Sequence, residues 1–222
     1  MSVDIGSATK SGRGRSNADN NIVLSQQLAN VLNAKVIDFE QLSIKSGQFI
    51  FVALLDVHCL NDSGALFDAA LLASVQALEN ACIPTVYITE DGLSCHRFEN
   101  DEAEEMETNA LSAQEHGDKK TKNTKEVIHV NQKLDLSRTP LSLTIGVFSD
   151  TFIADPTADE EGQLDSMIKV VVDDSGDLVA IFNHGGTYTF NERILQMFIQ
   201  AATTRHGELL GLLKRSDDNN NI

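Results

Sequence analysis

Apolar residues recur at helical spacing in "NNIVLSQQLANVLNA", which begins at Asn20 and puts Val23, Leu24, Gln27, Leu28, Val31 and Leu32 near one side. Asp19 or Asn20 is available as the N-cap. Next, "GQFIFVALLDVHCL" (47–60) is apolar at both alternating sets of positions and rich in β-branched and aromatic residues, which predicts a strand covered on both faces. A turn at Asn61–Gly64 leads into "ALFDAALLASVQALENA", a helix whose alanines at 69, 70, 73 and 77 permit close approach to a neighbour. "IPTVYIT" (83–89) reads as a short strand with Pro84 at its entrance, where a missing N–H does least harm.

The pattern then collapses between about Glu90 and Lys133, where an acidic block precedes a basic one and apolar residues are few. This far exceeds the roughly 12–15 residues above which structureless loops are uncommon, so an insertion is expected, disordered or weakly helical. Beyond it lie "LSLTIGVF" (141–148), "TFIA" (151–154), "SMIKVVVD" (166–173) and "LVAIF" (178–182), strand-like runs separated by turn residues. The chain closes on a long helix, with Thr189 and Glu192 at capping-box spacing and a stripe of Ile194, Leu195, Phe198, Ala201, Ala202, Leu209 and Leu213. The order is an α+β layer arrangement. Residues 1–19 read as a flexible arm, 20–214 as one domain interrupted by the insertion at 90–133, and 215–222 as a tail.

With 222 residues, 41% of them hydrophobic, the chain is long enough for one sizeable core. A net charge of −16 argues against nucleic-acid binding through a broad basic surface, because phosphate neutralisation supplies non-specific affinity. Any RNA contact is then local or shared with a partner. Cys59, Cys82 and Cys95 are odd in number and lack paired zinc-site spacing. Without an apolar N-terminal leader or a run approaching ~18 apolar residues, an intracellular, soluble protein with no membrane partner is expected.

Three stretches together resemble the ribonuclease PH-like subunits of the RNA exosome ring: residues 36–86, residues 146–186 and "TTRHGEL" (203–209). A strand, a Gly-bearing turn, an Ala-rich helix and "IP" carry the first signature, and "ADPT" with trailing acids the second. The resemblance runs from about residue 20 to 214, excluding the insertion, and the combination is far more specific than either part. It implies an α+β, ribonuclease PH-like fold of the ribosomal protein S5 domain 2-like type. Family members ordinarily begin with further strands and a helix, so part of the N-terminal layer is expected to be lacking. In a shortened chain, the strand at 47–60 would have an unpaired edge and an incompletely covered face, giving poor stability without partners.

In active members of this family, the turn before the Ala-rich helix carries a Gly-Thr-Arg-Ser type sequence that holds the attacking phosphate. The corresponding positions here are Ala65-Leu66-Phe67-Asp68. A two-pronged guanidinium is absent and a carboxylate stands nearby, so the turn is not expected to hold phosphate for catalysis. The acidic segment matches only with a gap: Asp155, Glu160 and Glu161 lie nearby, and Asp165 is the sole catalytic remnant, more readily read as a turn or strand-edge acid. The resemblance therefore implies an inactive ring subunit without cofactor or metal. It would pair with other ribonuclease PH-like chains, contact RNA through the assembled channel, and support 3′–5′ processing of ribosomal RNA precursors and turnover of messenger RNA. Nucleus, nucleolus and cytoplasm are the implied compartments. The alternatives are an active phosphate-dependent 3′–5′ exoribonuclease and a non-assembling fragment.

Outside these motifs, Arg13 and Arg15 are the candidates for RNA contact, although an arm explains them equally well. His58, within an apolar run, reads as a core or interface histidine, with Cys59 pointing to the opposite face. His184 before Gly185-Gly186 reads as a turn residue, and Arg205-His206 as facing solvent or a partner.

Overall fold

The computed structural model describes residues 2–7, 16–34, 36–45, 49–84, 86–89, 92–95, 126–129, 132–184, 186 and 188–220. They fall into two compact units: residues 1–38, 53–78 and 136–222 form one, and residues 39–52 and 79–135 the other.

In the first unit, β1 (Ser2–Ser7) and β4 (Leu54–Cys59) pair in parallel, Ser2 opposite Leu54 through Ser7 opposite Cys59. Parallel pairing requires a crossover, and α1 (Ser16–Asn33) lies on the path between them. The helix starts earlier than its apolar pattern, so Asp19 and Asn20 lie inside it rather than capping it. Leu24, Leu28, Val31 and Leu32 are buried, as their spacing predicts, whereas Val23 is exposed. Residues 2–7, read from the sequence within an arm, form a strand; 8–15, with Arg13 and Arg15, lie outside the described residues.

The main sheet is antiparallel, in the order β11 (Thr151–Ala154), β10 (Leu141–Phe148), β12 (Ser166–Val172), β13 (Leu178–His184). Its central strands are buried almost throughout, because helices cover both faces. On one face α4 (Glu192–Asn220) lays Phe198 and Ala202 over Leu143, Ile145, Ile168, Val170 and Val172. Phe198 meets Phe152 edge-on at 5.0 Å and Phe190 at 5.8 Å. Fully burying one such aromatic or aliphatic side chain stabilises by roughly 1.5–3 kcal/mol, which makes this cluster the anchor of the unit. On the other face α2 (Leu66–Glu79) buries Phe67, Ala70, Leu71, Val75 and Leu78, with Phe67 edge-on to Phe182 at 5.6 Å.

Several local expectations are corrected. The start of α4 is capped by Asn191, whose Oδ1 accepts from the Ile194 N–H at 2.9 Å, and not by Thr189; Asn191 stands immediately before the helix, whereas Thr189 precedes its first residue by three. The helix runs through residues assigned to a tail, to Asn220. His206 does not face solvent: it is buried, with Nε2 donating to the Thr139 carbonyl at 2.8 Å.

The second unit holds a 3-10 turn (Phe39–Leu42), the hairpin of β2 (Ser43–Lys45) and β3 (Phe49–Ile50), and the pair β5 (Cys82–Ile83) with β9 (Gln132–Lys133). A further sheet orders β7 (Gly92–Cys95), β6 (Val86–Thr89) and β8 (Glu126–His129). Gln41 ties its ends by donating to the Asp135 carbonyl and accepting from the Asp135 N–H, both at 2.9 Å. The run 47–60 is thus two strands, β3 and β4, belonging to different units. Within the insertion read as 90–133, residues 92–95, 126–129 and 132–133 are strands, and 96–125 lie outside the described residues.

Candidate functional site

The turn that enters α2 is built against a second loop. Gly64 has φ +107° and presses on the backbone of 156–158, so that a Cβ there would collide with the Pro156 carbonyl. The Ala158 N–H donates to the Ser63 carbonyl at 2.9 Å. A short helix, α3 (Ala158–Glu161), holds this loop through a capping box: Thr157 accepts from the Glu160 N–H, and the Glu160 carboxylate accepts from the Thr157 N–H at 2.8 Å. The Thr157 N–H and Oγ1, both donating to that carboxylate at 2.8 Å, hold the Glu160 carboxyl below its ordinary value.

This construction delivers Glu161, whose Oε1 accepts from the Ala65 N–H at 2.8 Å. The Gly64 N–H donates to Asp62 Oδ1 at 3.1 Å. A helix entrance offers free amides and the positive end of the dipole to an anion. Here carboxylates of the same chain already take two of those amides.

Phe67 and Asp68 stand where the resemblance places the phosphate-binding Arg and Ser, and both turn inward. Phe67 is buried against Phe182. Asp68 faces β10, accepting from Ser142 Oγ at 2.6 Å, the Thr144 N–H at 2.6 Å and Thr144 Oγ1 at 3.0 Å. Burial pushes its carboxyl above the ordinary range, those hydrogen bonds oppose the rise, and Asp155 adds to it. The acid beside the turn amide is therefore Glu161, not Asp68.

Lys169 projects from β12 into the same region. It is 8% exposed, donates to Gln27 Oε1 at 2.9 Å and sits 4.8 Å above the Phe67 ring. Burial lowers its ammonium pKa, while Asp68 and Glu161 oppose that fall. Gln27, Cys59, Ala65, Phe67, Glu161 and Lys169 are among the residues lining a cavity of about 200 Å³. Burial raises the Cys59 thiol pKa, and Asp62 raises it further. Among the described residues lining the cavity, the one cation is thus held by internal partners. Lys169 left a signal in the sequence, a lone cation inside "SMIKVVV", and the capping box was visible as Thr157-x-x-Glu160. Gln27 carried none beyond its helical face.

The structure keeps Asp165 out of this cavity. It is exposed at the start of β12, and its Oδ2 accepts from the Ser149 N–H at 2.9 Å. Ser149 and Asp150, both at positive φ, form the tight turn between β10 and β11, which Asp165 braces. Of the core and interface readings of His58, exposure on β4 excludes the core one; Cys59 on the opposite face is buried. His184 is the last residue of β13 rather than a turn residue.

The architecture is an α+β, ribonuclease PH-like fold. It aligns with a chain of an archaeal exosome core at a TM-score of 0.64 and 18% identity, covering 94% of this chain and 66% of that one. It aligns with a chain of the Archaeoglobus fulgidus exosome with RNA bound to the active site at a TM-score of 0.68 and 19% identity, covering 96% and 71%.

In sequence, residues 139–205 match the second domain of the 3′ exoribonuclease family. The chain is similar to exosome complex component Rrp42 of Methanopyrus kandleri, 27% identical over 184 residues that cover 83% of this chain and 57% of the relative. It is also similar to Rrp42 of Pyrobaculum aerophilum, 30% identical over 132 residues, covering 60% and 38%. The chain spans about half the length of the curated relatives it matches.

Proposed function

We propose that this chain is a non-catalytic subunit of an RNA exosome ring, which pairs with other ribonuclease PH-like chains and helps guide RNA 3′ ends through the assembled channel. The similarity to Rrp42 chains and the shared fold support the ring assignment. Lack of catalysis rests on one observation, the Glu161 carboxylate on the Ala65 N–H at the α2 entrance. A phosphate placed there would meet that carboxylate where the reaction needs a cation. Among ring subunits, the residues quoted from 36–86 and 146–186 favour exosome component eight, with components seven and nine as the near alternatives. Its work would then be 3′–5′ processing of ribosomal RNA precursors and turnover of messenger RNA, in nucleus, nucleolus and cytoplasm.

The test is affinity purification of the tagged chain from its own cells, followed by mass spectrometry and an RNA-shortening assay with and without phosphate. Recovery of other ribonuclease PH-like chains, with no phosphate-dependent shortening by this chain alone, is the expected result. Shortening by the isolated chain only when phosphate is present would overturn the non-catalytic reading, and purification without any such partner would overturn the ring assignment.

A further inference from the structure

The entrance of α2 already holds an oxyanion, and that oxyanion belongs to the chain. Glu161 Oε1 accepts from the Ala65 N–H at 2.8 Å. The contact is anchored from both sides: the capping box fixes α3, and the Ala158 N–H reaches the Ser63 carbonyl at 2.9 Å. Two docked loops thus hold the carboxylate in place.

The donors around that carboxylate exceed what it uses. Leu66 and Phe67 open α2, so their N–H groups have no acceptor one turn earlier in the helix, and none serves them among the described residues. Lys169 is a second, independent source of donors. It is 8% exposed and lines the same cavity as Ala65, Leu66, Phe67 and Glu161. An ammonium carries three N–H donors. One goes to Gln27 Oε1 at 2.9 Å, and the other two have no hydrogen-bond acceptor among the described residues. A buried ammonium with unused donors is costly unless anions stand near it. Asp68 and Glu161 are those anions, both opposing the fall that burial causes in the Lys169 pKa. Asp68 commits its oxygens to Ser142 and Thr144, so Glu161 is the one that meets the helix entrance.

We propose that the entrance of α2 is an oxyanion site that the chain fills with its own Glu161, and that this carboxylate, rather than the missing arginine, keeps free inorganic phosphate out. Without it, the amides of Ala65, Leu66 and Phe67 and the Lys169 ammonium would converge on one cavity of about 200 Å³, which has room for such an anion. With it, a second anion meets a like charge. This plug presupposes the non-catalytic reading of the same turn and names the group responsible.

Titration of the full chain with inorganic phosphate, followed by calorimetry and backbone amide NMR, tests the plug. The wild type is expected to show no saturable binding up to about 10 mM, and Glu161→Ala to bind at least about tenfold below that limit. The shifts in that variant should concentrate at Ala65, Leu66 and Phe67. Glu161→Gln keeps the hydrogen bond to the Ala65 N–H and removes only the charge, so it preserves the loop contact and is expected to bind with an affinity between the two. Adding Lys169→Met to Glu161→Ala should weaken the gained site about tenfold, with an unchanged circular dichroism spectrum. A wild type that binds phosphate as tightly as the variants overturns the proposal. So does a failure of both Glu161→Gln and Glu161→Ala to bind, which would make the missing arginine decisive, or a gained site indifferent to Lys169→Met. None of these results decides whether the chain is catalytic, which phosphate-dependent RNA shortening reads separately.

Discussion

Asp68, which the resemblance sets at a phosphate-binding position, is scaffolding in this structure. As the third residue of α2 it could have faced the turn, but Ser142 and Thr144 on β10 offer two hydroxyls and one amide within hydrogen-bond distance. Asp68→Ala leaves those donors buried without their acceptor, and a loss of about 3 kcal/mol in urea-unfolding stability is expected. The pH dependence follows from the raised carboxyl pKa. The folded state binds the Asp68 proton more tightly than the unfolded chain, whose value is near 3.8. Its stabilising contribution is therefore complete below that pH and is lost as pH rises through the higher folded value. Asp68→Asn cannot titrate, so its stability should decline less than that of the wild type over the same rise, as measured by unfolding at a series of pH values.

At the scale of elements, the parts legible in the sequence were those whose pattern requires no knowledge of their neighbours. α2 and the strands at 141–148 and 166–172 are continuous apolar runs or strongly periodic ones, and they stand where the spacing predicts. β1 was not legible, because "SVDIGS" is short and mostly polar, and only pairing with β4 makes it a strand. The exposed side of β4 was missed for the converse reason: apolar residues at both alternating positions imply two covered faces, yet coverage depends on an element elsewhere. The α2 turn was partly legible. Its lack of an arginine could be read directly, but Glu161 reaches it from 96 positions away through the fold alone. That junction depends on glycine at 64, where positive φ and the Pro156–Ala158 backbone leave no room for a side chain. Gly64→Ala is expected to cost about 2 kcal/mol and to shift backbone amide NMR signals at Ala65 and Glu161 together, since it pushes the two loops apart.

For the whole molecule, the charge decides what the chain does alone. Seventeen basic against thirty-three acidic side chains leave −16 on 222 residues. Affinity for single-stranded RNA comes largely from releasing counterions as lysine and arginine replace them at phosphates, and a strongly acidic surface opposes that exchange. In the cavity beside α2, the buried Lys169 sits near Asp68 and Glu161, whose charges oppose the fall in its pKa, so it adds little field outside. Arg13 and Arg15 lie together on a short basic stretch, and we propose them as the chain's local RNA contact. Fluorescence anisotropy with a labelled oligoribonucleotide should accordingly detect no binding by the isolated chain at physiological salt. Weak binding should emerge only at low ionic strength, with a shallow dependence on salt, and Arg13→Ala with Arg15→Ala should remove it. Tight, steeply salt-dependent binding that survives the double substitution would mean that a basic track exists elsewhere on the surface, and the positional role proposed for the chain would have to include direct RNA capture.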